Sequence, residues 1–284
     1  MKIALVTDTH VSPRDEALAQ NWRAVDRWIG AVGADLVVHL GDITADGAAD
    51  PVELAHAHAL VSRSERDMLF LPGNHDIGDG PGERGATGHE GALRPERLAE
   101  FRRIFGPDFW SLVAVGWQLV GLDAQLFGTG GDDEARQWAW LAEVLATGEG
   151  PLGVFCHKPL VPVGSASADA LTRYPEAQAR TRLMRLLGGR DLRFVASGHT
   201  HQGLSFTAGG TEHVWVPSCA FVIPDEVQAR VGEKRVGAVL LELSRGGHRF
   251  AKAEPAGLRR HDLLDLAHIY PIVAGWRKGG HERA

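Results

Sequence analysis

Five short clusters of aspartate, asparagine and histidine punctuate the chain: Asp8-Thr9-His10, Gly41-Asp42, Gly73-Asn74-His75-Asp76, His157 and Gly198-His199-Thr200-His201. Each follows an apolar, strand-like run. Their metal-binding side chains offer carboxylate or amide oxygen and imidazole nitrogen, with no thiolate among them, a donor set suited to manganese, iron or zinc. Two divalent ions about 3.5–4 Å apart clamp a phosphoryl group for in-line attack. Ions held that close need an anion between them, and the two oxygens of Asp42 make it the natural bridge. Asp8, His10, Asn74, His157, His199 and His201 then supply the terminal ligands. Five clusters in this order amount to a two-metal hydrolytic centre.

The spacing fits. In Asp8-Thr9-His10 and His199-Thr200-His201 the paired donors are two apart, and in extended backbone such side chains point the same way. Gly41, Gly73 and Gly198 each precede a donor, where the chain must turn sharply with little room for a side chain.

The elements that must hold these clusters alternate. Lys2 to Thr7 predicts a strand, and Trp22, Val25, Ile29 and Val32 recur at helical spacing over Glu16 to Val32, with Gly33 as the stop. Leu36 to Leu40 is the next strand. Asp50 and Pro51 read as N-cap and first position of a helix through Val61, before a strand at Met68 to Leu71. Helical spacing returns at Pro95 to Phe105, Asp133 to Leu145 and Pro175 to Leu187. Strands are expected at Trp117 to Leu122, Leu152 to Cys156, Arg193 to Ala196, His213 to Val216 and Val236 to Leu243. The pattern predicts an α/β protein with mainly parallel sheets under helices. In such sheets the ligand crevice lies beyond the carboxyl ends of the strands, which is where the clusters fall. Ile77 to Arg94 and Leu160 to Tyr174 lack periodicity and are read as loops bordering the site or as surface insertions. The tail from Leu258 to Ala284 carries no strong signal. One domain spanning residues 1–284, with a tail over about 255–284, is the simplest organisation.

The five motifs, D-T-H, G-D, G-N-H-D, H and G-H-T-H, resemble the calcineurin-like metallophosphoesterase family over roughly Lys2 to Phe221. The chain looks most like its compact bacterial members, the class III cyclic nucleotide and glycerophosphodiester phosphodiesterases. That resemblance implies an αββα sandwich with mixed, mainly parallel sheets and hydrolysis of small phosphodiesters by a metal-bound hydroxide. Carried over by motif, one ion binds Asp8, His10, Asp42 and His201, and the other binds Asp42, Asn74, His157 and His199. The family's G-N-H histidine, here His75, is not a ligand but assists at the phosphoryl group or protonates the leaving group. Members of the diesterase type often read His-His-Pro-Pro at the fourth motif, whereas this chain has Cys156-His157-Lys158-Pro159. Lys158 is therefore weighed as a cation at the mouth, beside His75 and Asn74 as substrate contacts, or as a side chain in solvent. The family's tyrosinate-iron variant is not expected, because neither Tyr174 nor Tyr270 lies in a motif. A phosphomonoesterase or nucleotide pyrophosphatase on the same site remains a rival. A non-catalytic metal-binding scaffold is a rival of another class, opposed by the complete ligand set.

Several residues have plainer readings. His39 lies inside a strand and reads as core or as support for a ligand. His56 and His58 read as surface or packing. Asp123 and Asp76 either orient a ligand or cap a turn, and Asp46 and Arg14 stand near motif loops as weaker candidates for substrate contact.

The 284 residues are 44% hydrophobic and 23% charged, ordinary for a soluble globular protein, with net charge −6. That balance argues against a nucleic-acid polymer as partner. Cys156 and Cys219 sit in apolar runs and read as buried thiols of a reducing compartment. The Met1–Val6 stretch is too short for an export signal and no run approaches a membrane span, so a cytoplasmic protein with a small phosphoester substrate is expected. Val214 to Val222 and the tail are candidates for a homo-oligomer contact, or for completing the core.

Overall fold

The computed structural model describes residues 1–64, 66–82, 90–164 and 172–276. Strand β1 (Lys2–Val6) leads to helix α1 (Glu16–Val32), then β2 (Leu36–His39), α2 (Pro51–Val61), β3 (Met68–Phe70) and the one-turn α3 (Asn74–Ile77). The expected ends of α1 hold: the Asp15 carboxylate accepts from the Ala17 N–H, and Gly33 closes the helix in the left-handed conformation at φ 62°. Helix α2 starts as foreseen, with the Asp50 carboxylate accepting from Val52 N–H and Pro51 in the first turn.

The second half carries α4 (Pro95–Phe105), β4 (Trp110–Ala114), β5 (Trp117–Leu122), α5 (Asp132–Thr147), β6 (Leu152–Cys156), α6 (Ala177–Leu187) and β7 (Leu192–Ser197). Next come β8 (Leu204–Ala208), β9 (Thr211–Trp215), β10 (Phe221–Val222), β11 (Ala238–Ser244), β12 (Gly247–Ala253), β13 (His261–Asp262) and α7 (Val273–Trp276). Helix α6 begins after Pro175, at Ala177, because the Glu176 carboxylate caps it through Ala179 N–H. Strands β4, β8 and β12 of the two large sheets, like the two-residue β13, are absent from the sequence expectation. The first three are edge strands, and edges lack the continuous apolar run that marks a strand buried on both faces.

Two large sheets form, in the orders β12-β11-β1-β2-β3 and β4-β5-β6-β7-β9-β8, and β10 pairs with β13 in a separate two-stranded parallel sheet. The central pairs β1–β2–β3 and β5–β6–β7–β9 are parallel, and the pairs involving β11, β12, β4 and β8 are antiparallel. One core lies between the sheets, where Ile3, Leu5 and Val38 meet Leu119, Phe155 and Phe194. A second packs α1, α2 and α4 on the outer face of the first sheet, through Trp22, Leu54 and Phe101. A third packs α5 and α6 on the second, through Trp138 and Leu183. The layers are helix, sheet, sheet, helix. Val214, Trp215, Val216, Phe221 and Val222 are all buried within the chain's own interior, so that segment completes the core. Among the described residues no helix is long and apolar enough to cross a membrane.

The tail as far as Trp276 is built into the fold, and residues 277–284 lie outside the described residues. Leu263, Leu266, Ile269 and Val273 form a fourth apolar cluster with Leu18, Ala45 and Phe221. Asn21 on α1 fastens it: its side-chain amide donates to the carbonyls of Cys219, Ala220 and Arg259, and its oxygen accepts from Arg259 N–H.

Candidate metal centre

The carboxyl ends of β1, β2, β3, β6 and β7 meet at one edge of the sandwich, and each carries one cluster. Donor atoms of Asp8, His10, Asp42 and His201 lie within 4.8 Å of one another, as do those of Asp42, His157 and His199. Asp42 belongs to both groups. Its Oδ2 is 3.3 Å from His157 Nε2 and 3.9 Å from His10 Nε2, while its Oδ1 accepts from His75 N–H at 2.9 Å. Asn74 Oδ1 lies 3.2 Å from His157 Nε2, beside the second group.

The side chains converge by a different route from the extended one expected. Asp8, His10, Asp42, His199 and His201 all take positive φ, between 46° and 65°; among the described residues only Val115 joins them outside glycine. This left-handed region is sparsely used by non-glycine residues, though aspartate and histidine tolerate it best. Such conformations persist where the surroundings impose them, and they cluster at functional sites. The backbone here is held by cross-bonds: Asp8 N–H to Gly41 O, His10 N–H to Asp42 O and Gly198 N–H to His157 O.

The preceding glycines match the expectation of little room. A Cβ on Gly73 would stand 2.1 Å from Asp42 Oδ1 and 2.3 Å from its backbone nitrogen, and one on Gly198 would stand 2.0 Å from Thr7 Oγ1. Gly73→Ala is therefore expected to displace Asp42, lowering stability by about 1–3 kcal/mol as overpacked sites do and stripping bound metal. Calorimetric melting with and without manganese, together with metal analysis, checks both effects.

Hydrogen bonds on the far ring nitrogens fix which lone pair faces inward. Nδ1–H donates to the Leu40 carbonyl in His157 and to the Phe221 carbonyl in His201, each at 2.9 Å. His199 is reversed, with Nε2 on the Thr172 carbonyl at 3.2 Å and Nδ1 turned to His157 Nε2. His10 Nε2 consequently faces His201 Nε2 at 3.2 Å, and its Nδ1 meets the phenol of Tyr270 at 2.8 Å. Converging lone pairs repel unless a cation sits among them. Asp8 reports the same demand. Its Oδ2 accepts from Thr7 Oγ1 and His199 N–H, while its fully buried Oδ1 makes no well-formed hydrogen bond and faces His201 Nε2, at 3.3 Å. Burial raises the carboxyls of Asp8 and Asp42, but the neighbouring imidazoles outweigh it and hold both below the usual range. Burial keeps His10 and His199 neutral. Burial opposes charge on His157 as well, but Asp42 and Asp8 outweigh it and raise its pKa to about 9, so this ring releases a proton on metal uptake. Asp8, Asp42, His10 and His199 are already in the binding form, and the donor set fits a binuclear group.

His75 lines the same cavity without joining either donor group. Its Nδ1 donates to the Ala45 carbonyl at 2.8 Å, and its Nε2 stands 3.1 Å from Glu90 Oε1. Burial opposes its charge, but Glu90 and Asp42 prevail and raise it to about 9.

Other expectations resolve. Lys158 is not at the mouth: its side chain is fully buried and its ammonium pairs with Asp79, binding the fourth motif to the loop after α3. Arg14 turns to Glu53 at 2.7 Å and to Asp46 at 3.5 Å, and neither Arg14 nor Asp46 lines the cavity. Asp76 joins two motif loops by accepting from the backbone N–H groups of Gly73, Ile43 and Thr44. Asp123 caps its own turn through Gln125 N–H. His39 supports the motif loops from behind, 3.0 Å from Thr9 Oγ1. His58 packs edge-on against Phe105, 5.5 Å between ring centres. Of the two irregular stretches, Glu90, Thr172 and Arg173 border the cavity, while 83–89 and 165–171 lie outside the described residues.

Two site residues escaped the sequence reading, Glu90 and Tyr270. Tyr174 stays away, its phenol on the Val163 backbone, but Tyr270 reaches the centre from behind His10. Burial raises its phenol well above the ordinary value, so it stays protonated and acts as a hydrogen-bond partner. Loss of such a partner to a ligand histidine typically costs about 10–100-fold in metal affinity or activity. Tyr270→Phe is expected to weaken manganese binding within that range, as read by electron paramagnetic resonance; unchanged binding would show that packing alone orients His10.

A family model, calcineurin-like phosphoesterase, matches residues 1–203. A curated relative, a probable cyclic nucleotide phosphodiesterase of Psychrobacter sp. (strain PRwf-1), is 25% identical over 197 residues; the match takes in 67% of this chain and about half, 53%, of the relative's length. A dimetal phosphatase from Danio rerio shares the fold with TM-score 0.60 at 16% identity, covering 89% of this chain and 99% of that one. Purple acid phosphatase from yellow lupin (Lupinus luteus) seeds shares it with TM-score 0.68 at 14% identity, covering 95% and 55%. The chain belongs to the calcineurin-like phosphoesterase family.

Proposed function

We propose that the protein is a two-metal phosphodiesterase for small phosphodiesters of the cyclic nucleotide or glycerophosphodiester type. The carrying observation is Asp42, shared between two donor groups that are buried except at the half-buried His199. In this reading Asp8, His10, Asp42 and His201 hold one ion, and Asp42, Asn74, His157 and His199 hold the other; manganese, iron and zinc all suit the donors. When bound, the ions supply Lewis-acid polarisation of the phosphoryl oxygens and lower the pKa of a coordinated water toward neutrality.

The chain's own residues do the rest. Asp42 places negative charge between the imidazoles of His10 and His157, offsetting the repulsion of two like charges. Asn74 Oδ1 fixes the second group beside the cavity. His75 holds a proton at Nε2, steadied by Glu90, for the oxygen of the departing alcohol. Lys158 is tied to Asp79, which leaves Arg173 and His75 as the cationic groups at the cavity; the name of the curated relative favours the diester. Two free, buried cysteines accord with a reducing, cytoplasmic setting.

The test compares bis(p-nitrophenyl) phosphate with p-nitrophenyl phosphate, using manganese-loaded protein and an Asn74→Ala control. Diester preference that vanishes in the control is expected. Preference for the monoester would move the reading to a phosphatase. Bound metal without turnover of either would favour a pyrophosphatase or a scaffold.

A further inference from the structure

The cavity over the metal centre holds about 260 Å³ and is two-sided. Its floor is Asp42, Asn74, His75, His199 and His201. One wall is apolar and belongs largely to the C-terminal segment: Leu263, Ile272, Val273 and Trp276, with Phe221 beneath them. This wall starts on the ligand imidazoles themselves, the Phe221 ring lying 4.5 Å from that of His201 and 4.8 Å from that of His10. It ends at the rim on Ile272, which is 49% exposed although it is a large aliphatic side chain. The segment's one hydroxyl in the lining, the Tyr270 phenol, is taken up by His10, and further polar lining comes from elsewhere, including Glu90, Arg173 and Gln228.

The geometry points to selection by the ester arm: the segment carrying Ile272 and Trp276 seats a planar aromatic arm of the phosphodiester and disfavours a polyol arm. This rests on the phosphodiesterase reading and narrows it. A phosphoryl group on the centre must place one substituent in the remaining space. Hydroxyls pressed on this wall would give up water without finding partners, which costs free energy. An aromatic ring buries a large apolar surface there and meets the indole of Trp276 in a favourable edge or offset contact.

The experiment uses two diesters with the same p-nitrophenolate leaving group, phenyl p-nitrophenyl phosphate and 2,3-dihydroxypropyl p-nitrophenyl phosphate. Manganese-loaded protein is expected to favour the phenyl arm by roughly tenfold or more in kcat/KM, the scale on which apolar pockets discriminate. Ile272→Ser and Trp276→Ala should each shrink that ratio; Ile272→Ser replaces a half-exposed side chain, so folding is not in question. An equal or reversed wild-type ratio, or a ratio unmoved in both variants, overturns the proposal. Calorimetric binding of phenylphosphonate against 2,3-dihydroxypropylphosphonate reads the wall without turnover. Tighter phenylphosphonate alongside failed diester hydrolysis would retain the wall and reject the phosphodiesterase. Equal binding alongside good hydrolysis would do the reverse.

Discussion

Asp42→Asn is expected to lower kcat by about 10³-fold or more, since removing a single preorganised electrostatic group already costs 10²–10³. The substitution keeps the size of the side chain and an oxygen to accept from His75 N–H. It removes the charge that both donor groups share. The loss should therefore appear in metal content as well as rate, with fewer than two equivalents retained after gel filtration. Burial lowers and Asp42 raises the His157 pKa, to about 9 on balance, so removing the carboxylate's charge lets that ring shed its proton and leaves no unpaired buried charge; circular dichroism of the apo protein should change little. Full turnover with two metals bound would show that the bridge lies elsewhere.

His75 offers the complementary separation. His75→Asn is expected to reduce kcat by about 10²–10⁴-fold, the range for loss of a positioned proton donor, while both metal equivalents stay. The reason is geometric: its ring nitrogens are engaged by Ala45 and Glu90 and lie outside both donor groups. Chelator-treated variant reloaded with manganese and assayed at saturating substrate reads this directly. Loss of metal in the variant would make His75 a ligand, and retained activity would leave the leaving group without need of it. The two substitutions should not be additive, because His75 N–H bonds to Asp42 Oδ1 and residues acting as one unit share their effects.

Much of the centre was legible because its residues are chemically conspicuous. A buried strand that runs into Asp, His or Asn breaks its own apolar pattern, and five such breaks identify the edge where the strands converge. Capping chemistry made one end of α1 equally readable, with Gly33 marking its stop, while the Asp15 cap at the other end emerged only in the structure. Spacing two apart implies extended backbone at these pairs, which the structure does not have. Asp8 with His10, and His199 with His201, converge through left-handed backbone and not through an extended one. Backbone strain leaves no trace in residue order when the strained residues are aspartate and histidine.

The parts that stayed hidden come from segments without period and from contacts distant in sequence. Tyr270 meets His10 across 260 positions, and nothing near Tyr270 announces it. Its route depends on Asn21, a single polar residue on the buried face of α1 that pins the chain at Arg259. Glu90 sits in a glycine-rich loop where any acid looks solvated. Lys158 misled in the opposite sense: a lysine beside a ligand suggests a cation for the substrate, and only the position of Asp79 shows that its charge is used inside.

The most direct test of a binuclear centre is a titration of chelator-treated protein with manganese, following bound metal and hydrolysis of bis(p-nitrophenyl) phosphate together. Two equivalents per chain are predicted, with most of the activity appearing as the second site fills. Saturation at one equivalent, or full activity at one, would contradict an Asp42-bridged pair.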